Sequence, residues 1–304
     1  MILIPTNDKD RENSRVFEMK TYLNSMKAMY QNALLQNGEI YDITFKLTNK
    51  FSEINSKSIL SDSRIIKILR YSICPSISQM KFGQFFGINS IEKFENDKIT
   101  GGSKLTDLSI IAEKLVDFIN LNLDKDRFIW LNSSKYSKQI CFDYAKKWTC
   151  SIAADQNAQT AYRNWRKELQ EQAIIAKLIS FGYVKSGFSG IIEKDTDINI
   201  GEYTKEIRVQ GRTVQKADIV FRNKKNGKLT LVEAKAVGVE LDATKRVKEC
   251  CDKANDWNRA SSLNNPDIVT VLAGFFNHTN ISNLLASKIA IVWEHKLSDF
   301  EGVI

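Results

Sequence analysis

Histidine is nearly missing from this chain. His278 and His295 are the only two among 304 residues, which leaves little room for chemistry that runs on an imidazole base. His295 stands beside Trp293 and reads as structural. Three prolines (Pro5, Pro75, Pro266) and 14 glycines are too few for long linkers or low-complexity segments, and no internal repeat is present. No apolar run approaches the ~18–20 residues of a membrane span. The opening "MILIPTNDKDRENS" is too short, and too acidic after its apolar tip, for a signal peptide. The five cysteines (Cys74, Cys141, Cys150, Cys250, Cys251) are odd in number and never spaced Cys-x-x-Cys. They outline neither a disulfide framework nor a zinc site and read as reduced thiols in cytoplasm. A Gly-rich phosphate loop is also lacking, which argues against ATP-driven translocation, and no Ser-His-Asp ordering stands out.

The length is enough for one large or two ordinary domains with real cores. Hydrophobic residues make up 43% and charged residues 26%, as in ordinary globular proteins. A net charge of +8 suggests a polyanionic partner, although many basic proteins bind nothing acidic. The local pattern is sharper. Between Lys205 and Lys228 stand eight basic residues (Lys205, Arg208, Arg212, Lys216, Arg222, Lys224, Lys225, Lys228) against Glu206 and Asp218. Taken alone, this run is as well explained by a solvated face.

Helical spacing of apolar residues dominates the first half. It predicts helices over 14–36 (stopping at Asn37-Gly38), 61–73, 106–121 and 134–180, with a break at Pro75, a restart capped by Ser76 or Ser78, and a loop at "GGSK", 101–104. After "FGY" at 181–183 come short β-branched or apolar runs: "IRVQG", "ADIVF", "LTLVEAK", "IVTVLAGFF" and "KIAIVWEH". Helical patterns at 241–260 and 279–288 lie between the later ones. The expectation is a mixed α/β protein: a helical N-terminal domain over 1–150, then a domain over 151–304 with a central mixed β-sheet flanked by helices.

One stretch concentrates chemistry: "KADIVFRNKKNGKLTLVEAKAVG", residues 216–238. Asn226-Gly227 is a two-residue hairpin signal. Folding about it without a bulge sets Asp218 opposite Lys235. Glu233, two residues before Lys235, shares its face. A bulge near Lys224-Lys225 would change the pairing, so proximity is predicted rather than register. Two neighbouring carboxylates repel unless a cation neutralises them. Their oxygens suit Mg²⁺, which keeps waters and takes phosphate oxygens as further ligands. Asp218 and Glu233 are therefore candidate metal ligands, and Lys235 a candidate to orient or deprotonate an attacking water. This is a minimal kit for metal-dependent phosphodiester hydrolysis.

Glu-x-Lys alone has no specificity, and the chain contains three: Glu18-Met19-Lys20, Glu233-Ala234-Lys235 and Glu294-His295-Lys296. The first falls on a helical stripe and reads as a solvated pair. The third follows the apolar run "IAIVW", with Pro266-Asp267 upstream. Asp267 and Glu294 are separated by a strand, a loop and a helix, so their strands should be parallel and need not be adjacent. The middle triplet is preferred because a hairpin joins it to Asp218 and because it adjoins the basic run. In "ELQEQAIIAKLISFGY", 168–183, Glu171 opens the apolar stripe of a helix and is a candidate fourth carboxylate; a first-turn acid favoured by the helix dipole is the plainer alternative. Lys245, Arg246 and Lys248 open the next helix and are candidate phosphate contacts, a solvated helix face being the equal alternative, and Arg212 and Lys216 of the basic run are further candidates.

The triad resembles the PD-(D/E)xK nuclease superfamily, and much of the chain resembles the XamI-type type II restriction endonucleases. The resemblance is carried by "LRYSICPSIS" (69–78), "RNWRKELQEQAIIAKLISFGY" (163–183), "RTVQKADIVFRNKKNGKLTLVEAKAV" (212–237), "VLAGFFNHTNISNLL" (271–285) and "IVWEHKL" (291–297). It implies Asp218, Glu233 and Lys235 as catalytic residues, Glu171 in the preceding helix, and Mg²⁺ as cofactor with Mn²⁺ substituting. It further implies double-stranded DNA as substrate, a homodimer, a cognate DNA methyltransferase in the same prokaryotic system, and no membrane. A structure-specific repair nuclease or a non-cleaving DNA-binding relative is the alternative. The core Asp is preceded by Ala217, where the superfamily often has Pro, and acidic "VELD" (239–242) stands where a more polar stretch is expected.

Overall fold

The long apolar stripe near the N-terminus folds as one helix, α1 (Asp8–Leu47), and the helical text after residue 134 as a second, α7 (Gln139–Ser180). The computed structural model describes residues 7–89, 91–96, 102–260 and 262–303. It divides into two compact units, one made of residues 1–25 and 162–304, the other of residues 26–161. The boundary expected near residue 150 thus lies inside α7, and the unit that holds the sheet also takes in the start of α1.

The 26–161 unit is helical, with α2 (Ser56–Ser61), α3 (Ile65–Tyr71), α4 (Gln79–Phe85), α5 (Ile91–Glu95) and α6 (Gly102–Asn122) besides its parts of α1 and α7. Its core gathers Tyr41, Phe51, Ile66, Leu69, Phe82, Leu115, Phe128 and Trp130. The chain breaks at Pro75 and restarts with Ser78 as N-cap, its side chain accepting from Lys81 N. Arg70 and Glu95 form a buried ion pair at 2.8 Å. Two expectations fail here. Asn37-Gly38 does not end α1, because buried Asn37 finds a partner inside the unit, accepting at Oδ1 from Asn157 Nδ2 (3.2 Å). That contact and the packing around it override the ~1 kcal/mol that glycine costs in a helix. Within "GGSK", Gly102 already begins α6, while Gly101 lies outside the described residues.

The other unit is built on a seven-stranded mixed sheet of order β1 (Val184–Lys185), β3 (Glu202–Gln210), β4 (Val214–Arg222), β5 (Leu229–Val237), β6 (Asp267–Gly274), β7 (Ala290–Trp293), with β2 (Ile191–Ile192) also pairing β3. Strands β3, β4 and β5 run antiparallel in sequence. β5, β6 and β7 are mutually parallel, because α8 (Glu240–Asn258) and α9 (His278–Ala286) supply the crossovers that parallel neighbours require. A 3₁₀ segment, Glu294–Gly302, follows β7. Alternate residues of β5 enter different cores: Leu229, Leu231 and Val237 pack with α8 and α9 residues such as Val247, Trp257 and Leu284. Val232 and Ala234 pack with Ile174 and Leu178 of α7. Glu233 and Lys235 therefore fall on the α8 side.

Candidate active site

The β4–β5 hairpin turns through six residues, 223–228, not two. Arg222 pairs with Leu229 and Ile219 with Val232, while Asn223 N donates to Lys228 O and Gly227 N to Asn223 O. Gly227 takes φ +72°, a conformation that L side chains rarely adopt. Continuing this register sets Asp218 across from Glu233 rather than Lys235. The difference is two residues, one full period of the strand, so the same three side chains still meet.

They meet closely. Lys235 Nζ lies 2.7 Å from Glu233 Oε2 and 3.2 Å from Asp218 Oδ2. Asp218 Oδ2 also accepts from Ala234 N at 2.9 Å, which fixes the aspartate to the partner strand. Both carboxylates are buried. Burial lowers the Lys235 ammonium's affinity for its proton, but Glu233 and Asp218 raise it by more, so its pKa stands above the ordinary lysine value.

A second ammonium reaches Glu233 from α8: Lys253 Nζ lies 2.8 Å from Oε1 and 3.0 Å from Oε2, and donates to Lys216 O at 2.6 Å. Lys253 is not among the residues expected from the sequence. Its only signal was a lysine two helical turns beyond Arg246 on a stripe that alternates with buried Val247, Cys250 and Ala254.

Glu171 is buried on α7, the helix that packs on the other core. Its carboxylate lies 3.2 Å from Lys205 and 3.3 Å from Lys167, the latter without hydrogen-bond geometry, which leaves Oε1 buried without a hydrogen bond. Lys167 in turn lies 3.9 Å from Asp218 Oδ1 and 3.0 Å from Glu206. The structure thus joins Asp218, Glu233 and Lys235 directly and links Glu171 to them through Lys167. Glu206, also unforeseen, sits in β3 with φ +53°. Hydrogen bonds from Lys167 and Lys216 pull its carboxyl down to about 2. The basic run is consequently not a bare cationic face: Lys205 and Lys216 neutralise Glu171 and Glu206, and Lys224 donates to Phe181 O and Gly182 O. Arg212 and Lys245 are exposed, and Arg246 pairs with Glu249 at 2.9 Å.

The other two Glu-x-Lys triplets serve elsewhere. Glu294 is buried and clamped by Arg166 through two hydrogen bonds of 3.1 and 2.7 Å. The same guanidinium binds Glu18 at 2.9 Å, and Tyr162 Oη donates to Glu18 at 2.8 Å. Glu18 is therefore not solvated: it is one arm of a buried charged cluster. Lys296 is exposed beside Asp299. β6 and β7 prove to be adjacent as well as parallel, but Asp267 opens β6 while Glu294 lies beyond the far end of β7.

Asp218 and Glu233, both within 3.2 Å of one ammonium, fit the donor set of a hard divalent cation that completes its shell with water and phosphate. Among the described residues no group of three or more His, Cys, Asp and Glu is placed to hold a metal. A mixed sheet flanked by helices, with this acidic pair and lysine on its antiparallel hairpin, is consistent with a nuclease-type core. A family model described as XamI restriction endonuclease matches residues 49–293, and the chain belongs to that family. No curated protein matches it. Among solved structures the chain is similar to the crystal structure of protein VC1899 from Vibrio cholerae, at TM-score 0.30 and 9% identity over 87% of this chain and 55% of that one. It thus spans about half of that protein's length.

Proposed function

We propose that the protein is a Mg²⁺-dependent type II restriction endonuclease that hydrolyses one phosphodiester bond in each strand of a specific double-stranded DNA sequence. The observation that supports this most is the convergence of Asp218, Glu233 and Lys235 on one point of a family member's hairpin. Asp218 and Glu233 hold the cation. Bound Mg²⁺, or Mn²⁺ in its place, supplies Lewis-acid stabilisation of charge developing on the phosphate and a more acidic water. Lys235 orients the attacking water. Glu171 acts on the same centre by holding Lys167 and Lys205 in place. Arg212, Lys216, Lys245 and Arg246 contact phosphates and set register on the duplex. The protein works as a homodimer, because two-fold symmetry matches a palindromic site and brings one active site to each strand. A cognate DNA methyltransferase protects the host's own sites in a prokaryotic cytoplasm.

Plasmid digestion tests this reading. Discrete bands are expected with Mg²⁺ or Mn²⁺ and intact plasmid in EDTA. Full-rate cutting in EDTA would end the metal assignment. DNA binding with no cutting under any divalent cation would make the protein a non-cleaving relative, and a digest without discrete bands a nuclease of another specificity.

A further inference from the structure

We propose that Lys253 is a positioning residue for Glu233: it fixes the orientation of the carboxylate toward Asp218. The inference rests on the functional reading above. Glu233 is buried, at 1% exposure, so neither of its oxygens can fall back on bulk water. Oε1 is held by Lys253 at 2.8 Å, whereas Oε2 is shared between Lys253 at 3.0 Å and Lys235 at 2.7 Å. Since Lys235 also touches Asp218, Oε2 is the oxygen turned toward the second carboxylate. Oε1 is turned toward α8.

Lys253 is itself anchored. Its ammonium donates to the backbone carbonyl of Lys216 at 2.6 Å, two residues before Asp218 on β4. One side chain therefore ties α8, β4 and the Glu233 carboxylate of β5 together. A carboxylate on a flexible stem can rotate about its last torsion at little cost. Two ammonium contacts on Glu233, one from α8 and one from its own strand, remove that freedom. Partners of this kind behind a metal-binding carboxylate affect metal affinity or activity by about 10–100-fold. Lys253 touches neither substrate nor reacting atoms, so its effect passes through Glu233 and the β4 backbone at Lys216.

The test compares wild type with Lys253→Met, Lys253→Arg and Glu233→Gln. Two quantities are measured: Mn²⁺ affinity of the DNA-free protein by electron paramagnetic resonance, and steady-state cleavage read as kcat and KM. Folding is checked by circular dichroism, and Lys253→Gln replaces Lys253→Met should the latter not fold. The expected result is Mn²⁺ binding weakened about tenfold in Lys253→Met, with kcat falling and KM nearly constant, and recovery of both in Lys253→Arg. Mn²⁺ affinity and kcat within twofold of wild type in Lys253→Met, with both lost in Glu233→Gln, would overturn the positioning role alone. Unchanged behaviour in Glu233→Gln would overturn the site assignment beneath it.

Discussion

Glu233-Ala234-Lys235 and Glu294-His295-Lys296 present the same two letters at the same spacing, each after an apolar run. Their fates differ because of where the strand stops. β5 continues to Val237, so its two-residue period keeps Glu233 and Lys235 on one face, where Asp218 of the paired strand joins them. β7 ends at Trp293 and the chain turns into a 3₁₀ segment in which Lys296 leaves helical geometry. Glu294 then turns inward to Arg166 while Lys296 turns out to Asp299. A short motif is thus defined by the element that carries it and by the third residue it meets. The partner ions also differ in kind. Around Glu233 they are lysines, whose compact ammonium heads can be displaced; around Glu294 it is an arginine fork, matched to the carboxylate at both oxygens.

The largest difference between the two triplets is expected at Lys235. Lys235→Ala is expected to lower single-turnover cleavage by at least about a thousandfold while DNA binding survives, because the carboxylates proposed to hold the cation remain. Gel shift in Ca²⁺, read beside the digest, checks both halves. The next largest effect is on stability. Glu294→Ala strips one carboxylate from a buried guanidinium that keeps only Glu18, and should cost about 3 kcal/mol, visible as a lower urea midpoint at unchanged slope. Cleavage per folded molecule should stay near wild type. Lys296→Ala, at an exposed pair, should stay within about 0.5 kcal/mol.

The smallest effect concerns Glu206 and acid. Its carboxyl is held at about 2 against an ordinary 4.5, by hydrogen bonds from Lys167 and Lys216. A depressed carboxyl contributes stability that is fully present above its unfolded value and is lost as pH falls through its folded one. Wild type should therefore exceed Glu206→Gln in stability at pH 7, modestly because the group is half-exposed. The gap should close between about pH 4.5 and 2. A gap that widens on acidification would contradict this pairing.

Much of this was legible in the sequence. The strands from "IRVQG" to "KIAIVWEH" and the helices between them announce themselves by period, and the alternation in β5 alone places Glu233 with Lys235. The six-residue turn was not legible, since Asn226-Gly227 mimics a shorter one; the error was harmless only because it amounted to an even number of residues. Lys253, Glu206 and the Glu18–Arg166–Glu294 cluster were invisible. Each depends on residues 20 to 148 positions apart in sequence meeting in space, and no local pattern marks such a meeting. For the same reason the basic run misled as a measure of free charge: its partners lie on α7 and β3.

The central claim, that the hairpin triplet and not the C-terminal one carries the chemistry, is tested most directly by timing Glu233→Gln and Glu294→Gln on the same plasmid. Both substitutions keep shape and remove one charge, and both proteins are first shown to be folded by circular dichroism. Glu233→Gln is expected to lose at least about a thousandfold in single-turnover rate while Glu294→Gln cuts within a few fold of wild type. A Glu294→Gln protein that is folded and inactive, beside a Glu233→Gln protein that still cuts, would contradict it.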